Sequence, residues 1–546
     1  MRTATGTMTA GKPLAEPTTT VAKATAAETV AVETTGARTV GAATAGAEAS
    51  GAATAALPRT AGGVAGILDY AARRAPDASA VRDATGAWTY ADLRSAARAV
   101  ARSLAAAGVR PGDRVALCSR NRRELAAVVF GVLRAGAVLV PLSPHLPPAA
   151  LAAVVADAEP AALVAPAAAR PDVLCPVLSL EEAVAGDGPD APAEIAGADT
   201  AMLIYTSGST AAPKGVVCPH SAVEFAAAAI AARLSYRDTD VVLVGSPMSF
   251  DYGLYQVLLA ALAGAELVLA DADDPIGMLK TLRETRATVL PTVPSTARML
   301  AKLARRGAVP HHVRMFTNTG AALTAADIAE LRAVFPHAAI VAMYGITECK
   351  RVTIAEPDID RRKPGSVGTA LPGTEIRVLG DDGEPVAAGE VGEITVLGPH
   401  VMAGYRGAPE LTAQRYDTDP ATGARRLRTG DYGHLDADGH LYFHGRRDDQ
   451  FKRRGVRASL VEVEAAAARV DGVTAAAALP PEGEWDLDLV VVSDRDGDAV
   501  LADLAALLEP AKVPARCHRI DEFPLTANGK TDKKRLRALL RTGSPQ

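Results

Sequence analysis

The apolar residues Met202 to Tyr205 run directly into a ten-residue stretch, Thr206 to Gly215, of hydroxyls, small residues, one proline and one lysine. Such a run reads as a buried strand that ends in a turn. The turn gathers backbone N–H groups, the hydroxyls of Thr206, Ser207, Ser209 and Thr210, the bare backbone of Gly208 and the cation of Lys214. That combination suits a polyphosphate. It is not a Walker A loop, because Gly215 rather than Ser or Thr follows Lys214.

The surroundings of this loop fit an α/β protein. Ala91 to Ala107 carries Leu93, Ala97, Val100 and Leu104 at near-helical spacing, and Glu124 to Arg134 reads as a second helix. Short apolar strands alternate with these helices at Val115–Cys118, Val241–Val244, Leu267–Leu269, Val289–Leu290 and Ile340–Ala342. The alternation predicts layered sheets with helices on both faces. From Gly365 to Gly404 the pattern changes to short strands with glycine turns, which predicts a small antiparallel β subdomain. Beyond Asp448 a compact α+β unit is expected, with a helix over Val461–Val470 and an alternating strand over Leu487–Val492. The chain thus divides into 1–62, 63–447 and 448–546, and its 546 residues are too many for one ordinary core.

Residues 1–62 hold Ala, Thr and Gly without an aromatic; the composition predicts a disordered tail, with no apolar segment of a secretory signal. A net charge of −5 without a basic stripe argues against nucleic-acid and anionic-membrane partners. No run of about 20 uncharged apolar residues predicts a membrane span. Cysteines 118, 175, 218, 349 and 517 show no C-x-x-C spacing, so a reducing cytoplasm fits better than a disulfide framework or structural zinc.

Four further motifs follow the loop in order. They are Tyr344-Gly345-Ile346-Thr347-Glu348, then Thr429-Gly430-Asp431, then Gly445-Arg446 through Lys452 with Gly455 and Arg457, and finally Pro524 through Lys530. Together with the loop they resemble the adenylate-forming enzymes, a family of acyl-CoA synthetases, luciferases and amino-acid adenylation domains. The resemblance covers roughly residues 63–540.

The resemblance implies ATP and Mg²⁺ as cofactors and a reaction in two halves. A carboxylate first attacks the α-phosphorus and releases pyrophosphate; a thiol then displaces AMP to give a thioester. On that reading Thr206, Ser207, Gly208, Ser209, Thr210 and Lys214 hold the phosphates. Glu348 is the metal ligand, Thr347 binds the α-phosphate, and Tyr344 with Gly345 lies against the adenine. Asp431 takes the ribose hydroxyls, a task for a carboxylate that accepts two hydrogen bonds, with Arg446 as an added donor. Lys530 is the lysine that offsets charge in the transition state. Asp448 is the hinge of a small lid domain, and Arg457 belongs to the second, thiol-accepting state. Ala211 departs from the family's usual glycine; a positive φ there would cost about 1 kcal/mol or more.

Phe250-Asp251-Tyr252 resembles the segment that opens the acid pocket of amino-acid adenylation domains, where an aspartate pairs with the substrate ammonium. A buried Asp251 needs such a cation; a plain helix N-cap is the other reading. Alignment places Tyr252, Tyr255, Ser295, Thr317, Thr319, Gly320, Met343, Arg351 and Val352 around this pocket. Lys350 and Arg351 put two adjacent cations in its wall, suited to a second carboxylate. These features resemble free-standing β-amino-acid–carrier-protein ligases, including activators of the 3-methylaspartate type. The thiol would then belong to the phosphopantetheine of a separate carrier protein. Two other readings stay open: an acyl-CoA synthetase acting on an acid without an amine, and a non-catalytic scaffold.

Overall fold

The computed structural model describes residues 62–541, apart from 167–174, 189–191, 207–213, 272–273, 308–309, 447–449, 454–455, 483–484, 511 and 527–530. The tail 1–61, Ala211 and Asp448 lie outside the described residues.

Among the described residues the alternating pattern builds two large sheets of nine and seven strands. In the first, Ser79–Asp83, Glu266–Leu269, Val241–Val244, Val289–Thr292, Met315–Asn318 and Ala339–Tyr344 pair in parallel. In the second, Arg114–Cys118, Val138–Leu142, Ala162–Val164 and Thr200–Thr206 are parallel, and Lys214–Pro219 returns antiparallel to Thr200–Thr206. Helices cover these strands, so they read as unbroken apolar runs; every residue of Val138–Leu142 is buried.

Helix Arg123–Arg134 is buried continuously from Glu124 to Leu133, as a helix apolar on every side must be. Gly131 lets it close on its neighbour Tyr90–Ala106, because a Cβ there would stand 2.5 Å from Val100. Helix Asp251–Ala263 is enclosed in the same way. A five-stranded antiparallel sheet follows, built from Glu375–Leu379, Gly392–Leu397, Tyr416–Thr418, Arg425–Leu435 and Leu441–Arg446.

From Leu460 onward a three-stranded sheet packs with helices Leu460–Ala467, Gly497–Ala505 and Lys533–Arg541. Leu460, Val463, Leu489, Val491, Val500 and Leu504 form a core of their own. The fold is mixed α/β, with a large N-terminal sheet-containing domain and a smaller C-terminal one. Two local expectations change. The first helix ends at Ala467 rather than Val470. The strand Asp488–Ser493 is buried at its first four positions instead of alternating, because Leu489 and Val491 enter one core and Val490, with Leu536, another. No helix among the described residues is long and apolar enough to cross a membrane.

Candidate functional site

Chain direction in the nine-stranded sheet gathers the chemistry-bearing residues. Val241–Val244 leads to the helix that starts at Asp251; Met315–Asn318 leads to Thr319 and Gly320; Ala339–Tyr344 leads to Gly345. Crevices beyond the carboxyl ends of parallel strands are where open α/β sheets bind ligands. In the other large sheet, Thr206 pairs with Lys214, which brings together the two described ends of the hydroxyl-rich run.

On one side stand two carboxylates, each held by a tyrosine. The Tyr344 hydroxyl donates to Asp431 Oδ2 at 2.7 Å. Arg446, opposite Asp431 in the antiparallel register, brings Nε within 3.5 Å of Oδ1. Burial raises the Asp431 carboxyl above its ordinary value, while Arg446 and Tyr344 pull it down. Burial, and then the charge of Asp431, push the Tyr344 phenol well up, so it stays a donor. The Tyr344 ring lies 5.5 Å from that of Phe443, tilted by 30°. Likewise the Tyr405 hydroxyl donates to Glu348 Oε1 at 2.7 Å. That bond uses one oxygen of a partly exposed carboxylate, which fits a hard cation that needs one carboxylate beside phosphate oxygens. Thr347 lies on the same turn, partly exposed.

On the other side is a tight, largely filled cavity with about 10 Å³ of free space. Asp251, Tyr252, Tyr255, Gln256, Lys350 and Arg351 form its polar wall, and Ile230, Leu234, Leu259 and Met343 its apolar one. Asp251 is the first residue of its helix; Phe250 occupies the N-cap position, so the carboxylate is not the cap. Its cationic neighbour is Lys350, with Nζ 3.9 Å from Oδ2. The sequence assigns that position to a substrate amine, yet the chain itself supplies a cation there. Lys350 Nζ is buried without a hydrogen-bond partner, and so is the Tyr255 hydroxyl. The two cations lie over aromatic faces, Lys350 over Tyr255 at 5.6 Å and Arg351 over Tyr252 at 5.0 Å. Cation–π contacts hold a charge in an apolar wall without using it up.

Gly345 joins the two sides. A Cβ there would lie 1.9 Å from the Lys350 carbonyl oxygen and 2.8 Å from Arg351 Cα. The loop folds back so tightly that Val352 N bonds Tyr344 O at 2.9 Å, and Lys350 takes φ of 62°. The resemblance puts Gly345 on the nucleotide; the geometry gives it the further task of admitting the two cations.

Six of the pocket residues named from sequence, Asp251, Tyr252, Tyr255, Met343, Lys350 and Arg351, meet in this cavity. Thr317 joins through its hydroxyl and carbonyl, both on the Tyr252 hydroxyl at 2.7 and 2.8 Å. Ser295, Thr319, Gly320 and Val352 are not among the lining residues. Ser207, Gly208, Ser209, Thr210, Asp448 and Lys530 lie outside the described residues, as does the side chain of Arg457. Sequence reasoning missed Gln256 and Leu259, although Tyr252, Tyr255, Gln256 and Leu259 fall at i, i+3, i+4 and i+7 of one helix face. It also missed Tyr405, Ile230 and Leu234.

Residues 68–406 match the family described as AMP-binding enzyme. The chain belongs to that family. It is similar to VinN, whose crystal structure is 45% identical and superposes with a TM-score of 0.65 over 71% of this chain and 100% of that one. A complex of VinN with L-aspartate matches at 45% identity and a TM-score of 0.63, over 70% and 98%. The AMB antimetabolite synthetase AmbB of Pseudomonas aeruginosa is 33% identical over 88% of this chain but only 39% of its own length. This chain therefore spans well under half of that synthetase. O-succinylbenzoate coenzyme A synthetase (MenE) of Bacillus subtilis, in complex with ATP and magnesium ion, is 25% identical with a TM-score of 0.77 over 86% and 99%.

Proposed function

We infer that this protein uses ATP and Mg²⁺ to activate an amino diacid as its aminoacyl adenylate and then loads it onto the phosphopantetheine thiol of a separate carrier protein. One observation carries the reading: Asp251 faces Lys350 and Arg351 across a single buried cavity. An ammonium suits Asp251 and a second carboxylate suits the two cations, with Arg351 offering a planar fork. The L-aspartate of the VinN complex is a ligand of this charge pattern. The apolar wall of Ile230, Leu234, Leu259 and Met343 suits a small alkyl branch, as in 3-methylaspartate.

The remaining residues divide the work of the first half-reaction. Asp431 and Arg446 take the ribose; Tyr344 bonds Asp431 Oδ2, and Arg446 Nε stands 3.5 Å from Oδ1. Thr206, Ser207, Gly208, Ser209, Thr210 and Lys214 hold the phosphates, with Thr347 on the α-phosphate. Mg²⁺, held by Glu348, neutralises phosphate charge when bound. The substrate carboxylate attacks the α-phosphorus, and alignment with charge neutralisation supplies the rate. Lys530 adds a positive charge there. The C-terminal domain, 448–546, is a lid turning about Asp448, which withdraws Lys530 and brings Arg457 in for the thiol step. Cytoplasmic location fits the free cysteines.

An ATP–pyrophosphate exchange panel over amino diacids, monocarboxylic amino acids, fatty acids and aryl acids tests this. Exchange with an amino diacid supports it; exchange with fatty or aryl acids alone assigns the chain to acyl-CoA synthesis instead, and none at all leaves a scaffold.

A further inference from the structure

Lys350 is an unusual residue to bury. Its side chain is 1% exposed, its Nζ has no hydrogen-bond partner, and its nearest anion is Asp251 Oδ2 at 3.9 Å, beyond hydrogen-bond length. Its backbone adopts φ of 62°, a region that a lysine enters at a cost, and Gly345 is the residue that lets the loop close there. Backbone strain together with an unsatisfied buried cation marks a position kept for a ligand. Asp251 is 6% exposed at its side chain and has no cation nearer than Lys350 among the described ion pairs.

We propose that Lys350 and Asp251 form an exchangeable internal ion pair, each standing where one charge of the ligand will stand. The proposal rests on the amino-diacid reading and adds how the cavity discriminates. An amino diacid brings an ammonium for Asp251 and a carboxylate for Lys350, so both buried charges change partners and neither is left alone. A monocarboxylic amino acid occupies Asp251 and strands Lys350. A diacid without an amine occupies Lys350 and strands Asp251. Removing one partner of a buried pair is strongly unfavourable, so each half-ligand is rejected by the charge it leaves behind. Arg351, stacked on Tyr252 and bonded to the Lys350 carbonyl at 2.9 Å, keeps free donors to reinforce the carboxylate end.

The test uses the full chain and three probes that differ by one charged group: L-aspartate, succinate, which lacks the amine, and β-alanine, which lacks one carboxylate. Calorimetry on wild type is expected to show L-aspartate binding at least about tenfold more tightly than either of the others. Asp251→Asn removes the anion that competes for Lys350, so succinate should bind about tenfold more tightly than to wild type. Lys350→Met removes the competing cation, so β-alanine should gain by a similar factor while succinate loses. Gains of affinity are not produced by mere damage to the cavity, and either variant alone decides if the other fails to fold. If both variants still bind ATP and neither gains its half-ligand, the exchange is overturned even though wild type binds L-aspartate. If the gains appear while wild type binds no amino diacid, the internal pair stands and the amino-diacid reading falls.

Discussion

The two halves of the site handle buried charge in opposite ways. Around the residues proposed to hold the nucleotide, each carboxylate has a neutral donor at 2.7 Å, Tyr344 for Asp431 and Tyr405 for Glu348. Hydrogen bonds of that kind fix orientation and leave the charge in place for a ligand. In the acid cavity the charges face each other at 3.9 Å, and Lys350 Nζ is left without any hydrogen bond. On the proposed function a nucleotide is common to every turnover, so its half can be rigid. The acid must be chosen, and a cavity whose internal charges are poorly satisfied discriminates by how completely a ligand satisfies them.

Substitution at the junction should have the largest effect. Gly345→Ala places a methyl 1.9 Å from a backbone oxygen that cannot swing away. Unfolding free energy should fall by about 3 kcal/mol, and pyrophosphate exchange should drop below detection. Thermal unfolding and the exchange assay read both. Arg351→Ala attacks only the cavity. It should lower kcat/KM for the amino diacid by about 100-fold, the scale of a hydrogen bond to a charged group, with the KM for ATP unchanged. Unchanged turnover of every amino diacid would remove the second-carboxylate role.

The opposite dissection follows from the two tyrosines. Tyr344→Phe should raise the KM for ATP about tenfold and leave the acid's KM alone. If both constants move together, the two halves are not separate. Tyr405→Phe should weaken Mn²⁺ binding, read by electron paramagnetic resonance in the presence of ATP, by about tenfold.

Much of this arrangement is legible in the sequence. Residues that follow strand ends, such as Asp251 and Tyr344 to Glu348, carry their positions in local pattern, because a parallel strand fixes where its successor emerges. What stayed hidden comes from pairings between distant segments. Tyr405 reaches Glu348 across 57 positions, and no local signal links them. Lys350 meeting Asp251 depends on how closely the loop packs on Gly345, and such packing is decided by tertiary contact. Buried strands were the other source of error: Asp488–Ser493 is covered on both faces for most of its length, so alternation was the wrong template.

A last prediction concerns stability rather than the site. His220 is buried and accepts a hydrogen bond from Val64 N at 3.2 Å, and burial lowers its pKa to about 4. The unfolded chain binds a proton near the ordinary value of about 6.5. As pH falls from there toward 4 the unfolded state takes up the proton first, so stability declines through that window and levels off below it. His220→Gln should flatten this part of a stability-versus-pH profile measured by denaturant unfolding; an unchanged slope would assign it to other groups.

The most direct measurement of the central claim is kcat/KM in pyrophosphate exchange for L-aspartate, succinate and β-alanine on the same wild-type preparation. The account predicts that L-aspartate exceeds each of the others by at least about tenfold, since each lacks one of the two charges the cavity is built to satisfy. Equal or faster exchange with succinate or β-alanine would contradict it.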